Sequence, residues 1–122
     1  MATDHRKLSA FKLGDEYVLH VYRITRVFPS SERYGLQSQI RRSAVSIPTN
    51  IVEGCARDSD KEHARYYELA FGSCRESIYL LDLSARLGFI DQGAFDGARN
   101  PVKGAYGGAG MYARTCSPNR CL

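Results

Sequence analysis

The sequence predicts an all-α protein of four helices that associates with further copies of itself. In every long segment the apolar residues recur at steps of three and four, and no segment shows the alternation of a half-buried strand. Serine, proline and glycine stand where these helical patterns begin or end. Two of the predicted helices also carry a second apolar face, which a small monomeric bundle has no means to bury.

The first helix is expected to run from about Leu13 to Val27, because its apolar residues form one stripe at helical spacing. Pro29 ends this helix, since proline disfavours the helical conformation in the residue before it. Residues 1–12 are mostly polar and are predicted to be frayed, as is the tail of residues 117–122. Residues 1–122 are treated as one four-helix domain, which the length of 122 residues permits.

The second helix is predicted over residues 34–57 and has Pro48 in its interior. Proline removes a backbone donor and crowds the carbonyl of Ala44, so a kink is expected there. The apolar stripe continues in phase past the kink, through Leu36, Ile40, Ala44, Ile47 and Ile51. The polar stripe beside it consists of Gln39, Ser43, Ser46, Asn50, Glu53 and Arg57. Such a stripe either lines a ligand groove or repairs the backbone and bonds a neighbouring helix, and we favour the second.

The third helix begins with a capping box, formed by Ser59 and Glu62, and ends before Gly88. Its predicted core stripe has the heptad spacing of bundle packing and consists of Tyr67, Phe71, Cys74, Ile78, Leu81 and Ala85. A fourth helix is predicted to start with Asn100 as N-cap and Pro101 at its first position, and to reach Cys116. Four glycines between residues 104 and 110 weaken it, so it needs tertiary packing.

Apolar residues on the outer sides of the second and third helices predict a contact with another copy of the chain. They point away from the core stripes of their own helices, so burial requires a partner. The candidate interface residues are Val45, Val52, Leu69, Leu80, Leu83 and Leu87.

The net charge of +4 is unevenly distributed along the chain. Residues 1–57 hold nine Lys or Arg against five Asp or Glu, residues 58–96 hold four against eight, and residues 97–122 hold four and no acid. This pattern permits polyanion binding, whereas a solvated charged surface is the alternative. The candidate nucleic-acid-binding residues, expected toward one end of the molecule, are Arg23, Arg26, Arg41, Arg42 and Arg57.

Arg41 and Arg42 also have a structural alternative, an ion pair across a subunit interface, and we favour it for both. No aromatic residues interleave with the candidate arginines to suggest base stacking, so sequence-specific readout is not expected.

Catalytic, metal-binding and membrane-spanning patterns are not found in the sequence. The four cysteines form no Cys-x-x-Cys pair, no histidine stands at zinc spacing, and His5, His20 and His63 have no neighbouring nucleophile. No apolar run approaches the ~18 residues of a membrane span, and the N-terminus lacks the apolar core of a secretory signal. We therefore expect a cytoplasmic protein without enzymatic activity, metal, cofactor or membrane partner.

Residues 28–57 resemble the signature of the 23S rRNA intervening-sequence proteins, also called the bacterial four-helix bundle family. The signature reads FP-x-x-E-x-x-GL-x-x-QIRRAA-x-SIP-x-NIAEG-x-x-R. It is matched at Phe28, Pro29, Glu32, Gly35, Leu36, Gln39, Ile40, Arg41, Arg42, Ala44, Ser46, Ile47, Pro48, Asn50, Ile51, Glu53, Gly54 and Arg57. The family's A-x-GS-x-x-E segment is matched at Ala70, Gly72, Ser73 and Glu76. The resemblance covers about residues 13–90, and the glycine-rich sequence after Asp91 departs from the family.

The resemblance implies an antiparallel up-and-down four-helix bundle that assembles as a ring-shaped homopentamer. It also implies kinship with the accessory variability protein of diversity-generating retroelements, a basic pentamer that binds nucleic acid and a reverse transcriptase. We therefore expect a non-enzymatic oligomer that binds RNA or DNA through its arginines, mainly by charge. The alternative is an oligomeric scaffold that binds another protein and no nucleic acid.

Overall fold

The computed structural model describes residues 4–104 of the chain. Within this range the regular structure is entirely helical and contains no strand. The four α-helices are α1 (Ser9–Ile24), α2 (Leu36–Cys55), α3 (Asp60–Arg86) and α4 (Gln92–Lys103). Three short 3-10 turns accompany them, at His5–Lys7, Thr25–Val27 and Ser30–Glu32. The prediction of an all-helical protein with four helices is confirmed for the described residues.

Residues 4–12 are packed onto the bundle, in contrast to the prediction that residues 1–12 are frayed, and the part of that prediction for residues 1–3 lies outside the described residues. Leu8 and Ala10 are both buried in the core, and α1 begins at Ser9 instead of about Leu13. Asp4 holds the preceding turn by accepting a hydrogen bond from the backbone N–H of Arg6, at 3.1 Å. Ala10 lies three residues before Leu13, at helical spacing, so the apolar period of α1 extends further toward the N-terminus than the predicted start.

The core lies between α2 and α3, with α1 packed on α2 and α4 packed on α1 and α3. Its fully buried apolar side chains include Val21, Ile40, Ile47, Ile51, Tyr67, Leu81 and Val102. A buried polar contact joins the Tyr17 hydroxyl on α1 to the Ser77 Oγ on α3, at 2.7 Å. Each hydroxyl thereby satisfies the other, as buried polar groups require.

Pro48 lies inside α2, and polar side chains around it bond the backbone and a neighbouring helix. Asn50 Nδ2 donates to the Ser46 carbonyl at 2.7 Å, and Thr49 Oγ1 donates to the Val45 carbonyl at 2.7 Å. Ser73 Oγ on α3 donates to Ser46 Oγ at 2.8 Å. The bond between Ser46 and Ser73 gives the middle of the polar stripe the interhelical role that we favoured, while the bonds of Asn50 and Thr49 go to carbonyls other than that of Ala44.

The capping box at the start of α3 is confirmed, since Ser59 Oγ accepts from the Glu62 backbone N–H at 3.2 Å. Gly88 follows the helix with a φ of +83°, as expected of a terminating glycine. Near its start, α3 also passes very close to α2. A Cβ added at Gly54 would lie only 2.9 Å from the Tyr66 Cβ, so this crossing depends on glycine.

The buried face of α3 is turned relative to the predicted stripe. Its most deeply buried residues are Tyr67, Ala70, Cys74, Ser77, Leu81 and Ser84, whereas Phe71, Ile78 and Ala85 are only partly buried. Ser84 is tolerated in the core because its Oγ donates to the Leu80 carbonyl at 2.8 Å. Leu80 shares this face and is 6% exposed, so its prediction as an interface residue is wrong.

The fourth helix begins at Gln92, about two and a half turns earlier than the predicted start at Pro101. Its N-cap is Asp91, whose Oδ1 accepts from the Ala94 backbone N–H at 2.7 Å. The prediction of Asn100 as N-cap is wrong, because Asn100 and Pro101 lie near the end of α4. Burial of Phe95, Ala98 and Val102 holds the helix despite its glycines. The predicted extension to Cys116 lies outside the described residues.

Candidate nucleic-acid interface

An open groove of about 560 Å³ lies where the end of α1 meets the start of α2. We call it the arginine groove. Its lining residues are Tyr22, Arg26, Arg33, Tyr34, Gln37, Ser38, Arg41 and Arg42. Four of these described residues carry a positive charge and none carries a negative one, so the groove is an anion-attracting surface.

Short local elements bring these arginines together. Arg26 lies in the 3-10 turn that ends α1, Arg33 follows the next 3-10 turn, and Arg41 and Arg42 lie in the second turn of α2. Glu32 caps α2, because its Oε1 accepts from the Leu36 backbone N–H at 3.2 Å. The start of α2 thus faces the groove region with the positive end of its helix dipole, partly offset by that carboxylate.

Arg41 has a structural role in this arrangement. Its Nε donates to Thr25 Oγ1 at 2.9 Å, its Nη2 donates to the Tyr22 carbonyl at 3.2 Å, and its guanidinium lies 4.4 Å from the centre of the Tyr22 ring. Thr25 is itself fully buried and donates to the Val21 carbonyl at 2.7 Å. Arg41 therefore fastens the end of α1 to α2, with one face of its guanidinium already occupied.

Arg42, Arg26 and Arg33 are different, because their side chains are exposed and have no hydrogen bond or ion pair to any part of the chain that the structure describes. Arg33 lies over the neighbouring Tyr34 ring, with its guanidinium 5.7 Å from the ring centre. The structure thus separates two adjacent arginines that the sequence could not distinguish. Arg41 is committed to the fold, whereas Arg42 is free to contact a ligand.

Tyr22 and Tyr34 both line the arginine groove, so the expectation of no interleaved aromatic residues is wrong. Tyr34 is 88% exposed, the most exposed of the large hydrophobic residues in the described range. Sequence reasoning missed Arg33 and Tyr34 as site residues. Their position directly before Gly35 and the start of α2 is the signal that would have placed them beside Arg41 and Arg42.

The two remaining candidate arginines lie outside the groove. Arg23 is exposed on the last turn of α1 but does not line the arginine groove. Arg57 follows the far end of α2, about 22 Å from Arg42 at 1.5 Å of helix rise per residue. Its Nη2 donates to the Tyr66 hydroxyl at 2.9 Å and its guanidinium stacks on that ring at 5.1 Å. The expectation that Arg57 shares one end with the others is wrong, because α2 is too long.

The candidate interface residues fall into three groups. Val45, Leu69 and Leu87 are exposed, Val52 and Leu83 are partly buried, and Leu80 belongs to the core as described above. Val45 and Leu69 lie on α2 and α3, the two helices that pack most extensively on each other. Exposed apolar side chains therefore remain on both central helices of the isolated chain.

A second groove, of about 410 Å³, lies between α3 and α4. It is lined by Arg75 and Tyr79 among others, but Asp82 also lines it, so its charge is mixed. No group of three or more His, Cys, Asp or Glu side chains among residues 4–104 could hold a metal ion. Over the same residues, none of the helices combines the length and the apolar character needed to cross a bilayer.

The fold and the arginine groove together define a small all-α protein with a basic surface at one end of its helices. The family model of the 23S rRNA-intervening sequence protein matches residues 6–104, and the chain belongs to this family. The resemblance stated from the sequence is therefore confirmed, and the match continues through α4, beyond the residues that suggested it. No curated protein matches the chain.

Proposed function

We propose that this chain is a non-enzymatic nucleic-acid-binding protein that contacts RNA or DNA through the arginine groove. In this proposal the helices form an antiparallel up-and-down bundle, and the bundles assemble in the cytoplasm as a homo-oligomer, a pentamer. The observation that carries the proposal is the convergence of Arg26, Arg33 and Arg42 on one groove whose described lining contains no acid. Guanidinium groups suit phosphate because their planar fork donates two parallel hydrogen bonds.

The architecture supports phosphate binding by holding one arginine rigidly and leaving its neighbours free. Arg41 is tied to Thr25 and Tyr22, so the backbone that carries Arg42 is fixed relative to the end of α1. Ligand binding then costs the ordering of the exposed side chains but not of the helices. In a ring of subunits the groove recurs once per subunit, and simultaneous contacts along one strand raise the affinity through effective concentration.

A salt titration of the full chain with fluorescein-labelled RNA and DNA tests this proposal. Fluorescence anisotropy should show binding whose affinity falls steeply with salt, because bound phosphates release counterions. Arg42→Ala and Arg33→Ala should each weaken binding and lower the slope of log affinity against log salt by roughly 0.7–0.9.

Arg86→Ala is the matched control for these variants. It removes the same charge from α3, where Arg86 pairs with Asp82 at 3.2 Å and lies outside the arginine groove. If Arg86→Ala weakens binding as much as Arg42→Ala, net charge and not the groove is responsible. If neither RNA nor DNA binds at low salt, the nucleic-acid proposal is refuted.

The alternative, an oligomeric scaffold that binds another protein, is favoured by the exposed Leu69 and Leu87. Such side chains suit a protein surface better than a phosphate backbone. This alternative predicts no nucleic-acid binding at low salt, together with a protein partner that co-purifies with the chain and is lost in Leu69→Asp.

A further inference from the structure

We propose that the arginine groove takes single-stranded nucleic acid, with one base stacked on Tyr34, in preference to a duplex. This inference rests on the proposed function and adds the substrate class and the residue that selects it. It is carried by the exposure of Tyr34 and by the two grooves that adjoin it.

Tyr34 offers an aromatic face that the fold does not use. The residue lies between the 3-10 turn Ser30–Glu32 and Gly35, so its backbone is held at the edge of the structure. Although the Arg33 guanidinium lies 5.7 Å from its ring centre, the residue stays 88% exposed. Tyr22, by comparison, is covered by Arg41 at 4.4 Å. Tyr22 is 39% exposed, so Tyr34 offers the larger free ring surface of the two groove tyrosines.

A smaller groove of about 230 Å³ adjoins the arginine groove. It is lined by Tyr34, Gly35, Ser38, Gln39 and Arg42. Tyr34, Ser38 and Arg42 line both grooves, so they form a ridge between them. A single strand crossing this ridge would place successive nucleotides in the two grooves, one base on the Tyr34 ring and a phosphate at Arg42.

Stacking on Tyr34 is available only to an unpaired base. In a duplex both faces of each internal base are already stacked, and its outer surface presents phosphates and groove edges. A duplex can therefore use the arginines but gains nothing from the tyrosine, whereas every base of a single strand has a free π-face. The uncharged Ser38 and Gln39 leave hydrogen-bonding groups for the base or sugar beside the ridge.

The test compares single strands with a duplex of equal length, on the full chain at one salt concentration. The probes are fluorescein-labelled adenosine and deoxyadenosine strands of about twelve nucleotides, within the range of single-strand site sizes, and a duplex of that length. The single strands should bind at least about 5-fold more tightly than the duplex, since one stacked base contributes about that much or more. The two sugar types separate an RNA ligand from a DNA ligand.

Three variants identify the residue responsible. Tyr34→Leu should lose about 5-fold or more of the single-strand affinity, while the duplex affinity and the salt slope stay unchanged. Tyr34→Phe should retain the single-strand affinity, because the ring remains. Tyr79→Leu is the matched control. Tyr79 is 57% exposed and lines the groove between α3 and α4, beside Arg75. Melting temperatures equal to that of the parent chain establish that the variants are folded.

Each outcome decides the inference. If the duplex binds as tightly as the single strands and Tyr34→Leu affects neither, the single-strand inference is overturned while nucleic-acid binding through the arginines stands. If Tyr79→Leu weakens single-strand binding as much as Tyr34→Leu, the placement on this ridge is overturned. If no probe binds at low salt, this inference and the proposed function both fail.

Discussion

Replacing Arg41 by methionine should destabilise the fold, because it removes the fastening between α1 and α2. The partly buried bond from Nε to Thr25 Oγ1, at 2.9 Å, contributes about 1.5 kcal/mol as a charged hydrogen bond. The exposed bond from Nη2 to the Tyr22 carbonyl contributes about 0.5 kcal/mol after screening by solvent. The guanidinium over the Tyr22 ring, at 4.4 Å, adds about 0.5–1 kcal/mol. The expected loss is therefore about 2.5–3 kcal/mol.

Urea denaturation followed by circular dichroism measures this loss. The midpoint should fall while the slope m stays constant, and the melting temperature should fall by about 10 °C for a domain of this size. A double-mutant cycle with Thr25→Val isolates the bond to Thr25 Oγ1 and should give a coupling energy of about 1 kcal/mol. Arg42→Met, an exposed substitution on the next residue, should change stability by no more than about 0.5 kcal/mol. Equal stability of the two methionine variants would refute the structural assignment of Arg41.

Three further predictions concern packing, assembly and pH. Gly54→Ala should cost about 1–3 kcal/mol in unfolding free energy, because its Cβ meets the Tyr66 Cβ at 2.9 Å. Gly72→Ala, whose added Cβ meets no atom within 4 Å beyond its own stretch of helix, should not destabilise, and equal losses would contradict the close crossing. Val45→Asp should lower the mass measured by light scattering, since it places a carboxylate in the proposed contact between copies; an unchanged mass would remove Val45 from that contact. Burial raises the pKa of the Cys74 thiol to about 12, so the folded state holds this proton more tightly than the unfolded chain. The resulting stabilisation is complete below about pH 9 and declines as the pH rises further, and Cys74→Ala should make that decline shallower; an identical slope in the two proteins would show that the thiol does not contribute.

The second helix was predictable because its apolar stripe is uninterrupted. Ile40, Ala44, Ile47 and Ile51 are all fully buried, as their spacing indicated. The third helix was predictable in its start, through the Ser59 cap, but not in its orientation. Ser77 and Ser84 count as polar in a sequence, and only the tertiary structure shows that Tyr17 and the Leu80 carbonyl satisfy them. The predicted core stripe therefore deviated from the buried face, and Leu80 was placed on the outside.

The site was predictable in its charge and not in its geometry. Arg41 and Arg42 are adjacent in the sequence, and the partner that separates their roles, Thr25, lies sixteen residues from Arg41. The distance of Arg57 from the groove, by contrast, follows from its sequence separation from Arg42 along the predicted helix, and grouping the two arginines at one end overlooked it. Tyr34 and Arg33 lie in a loop, where helical periodicity does not predict which way a side chain points.

The Tyr17–Ser77 contact has a consequence for how this bundle tolerates change. Interlocking aliphatic side chains can shift by a helical turn and pack on new partners, but among residues 4–104 these two buried hydroxyl groups bond only each other. Removing one hydroxyl leaves the other buried without a hydrogen-bond partner. Exchanging both residues for apolar groups of similar shape, as in Tyr17→Phe with Ser77→Ala, is nearly neutral. Positions 17 and 77 therefore act as a lock on the alignment of α1 and α3, and they are free to vary only together.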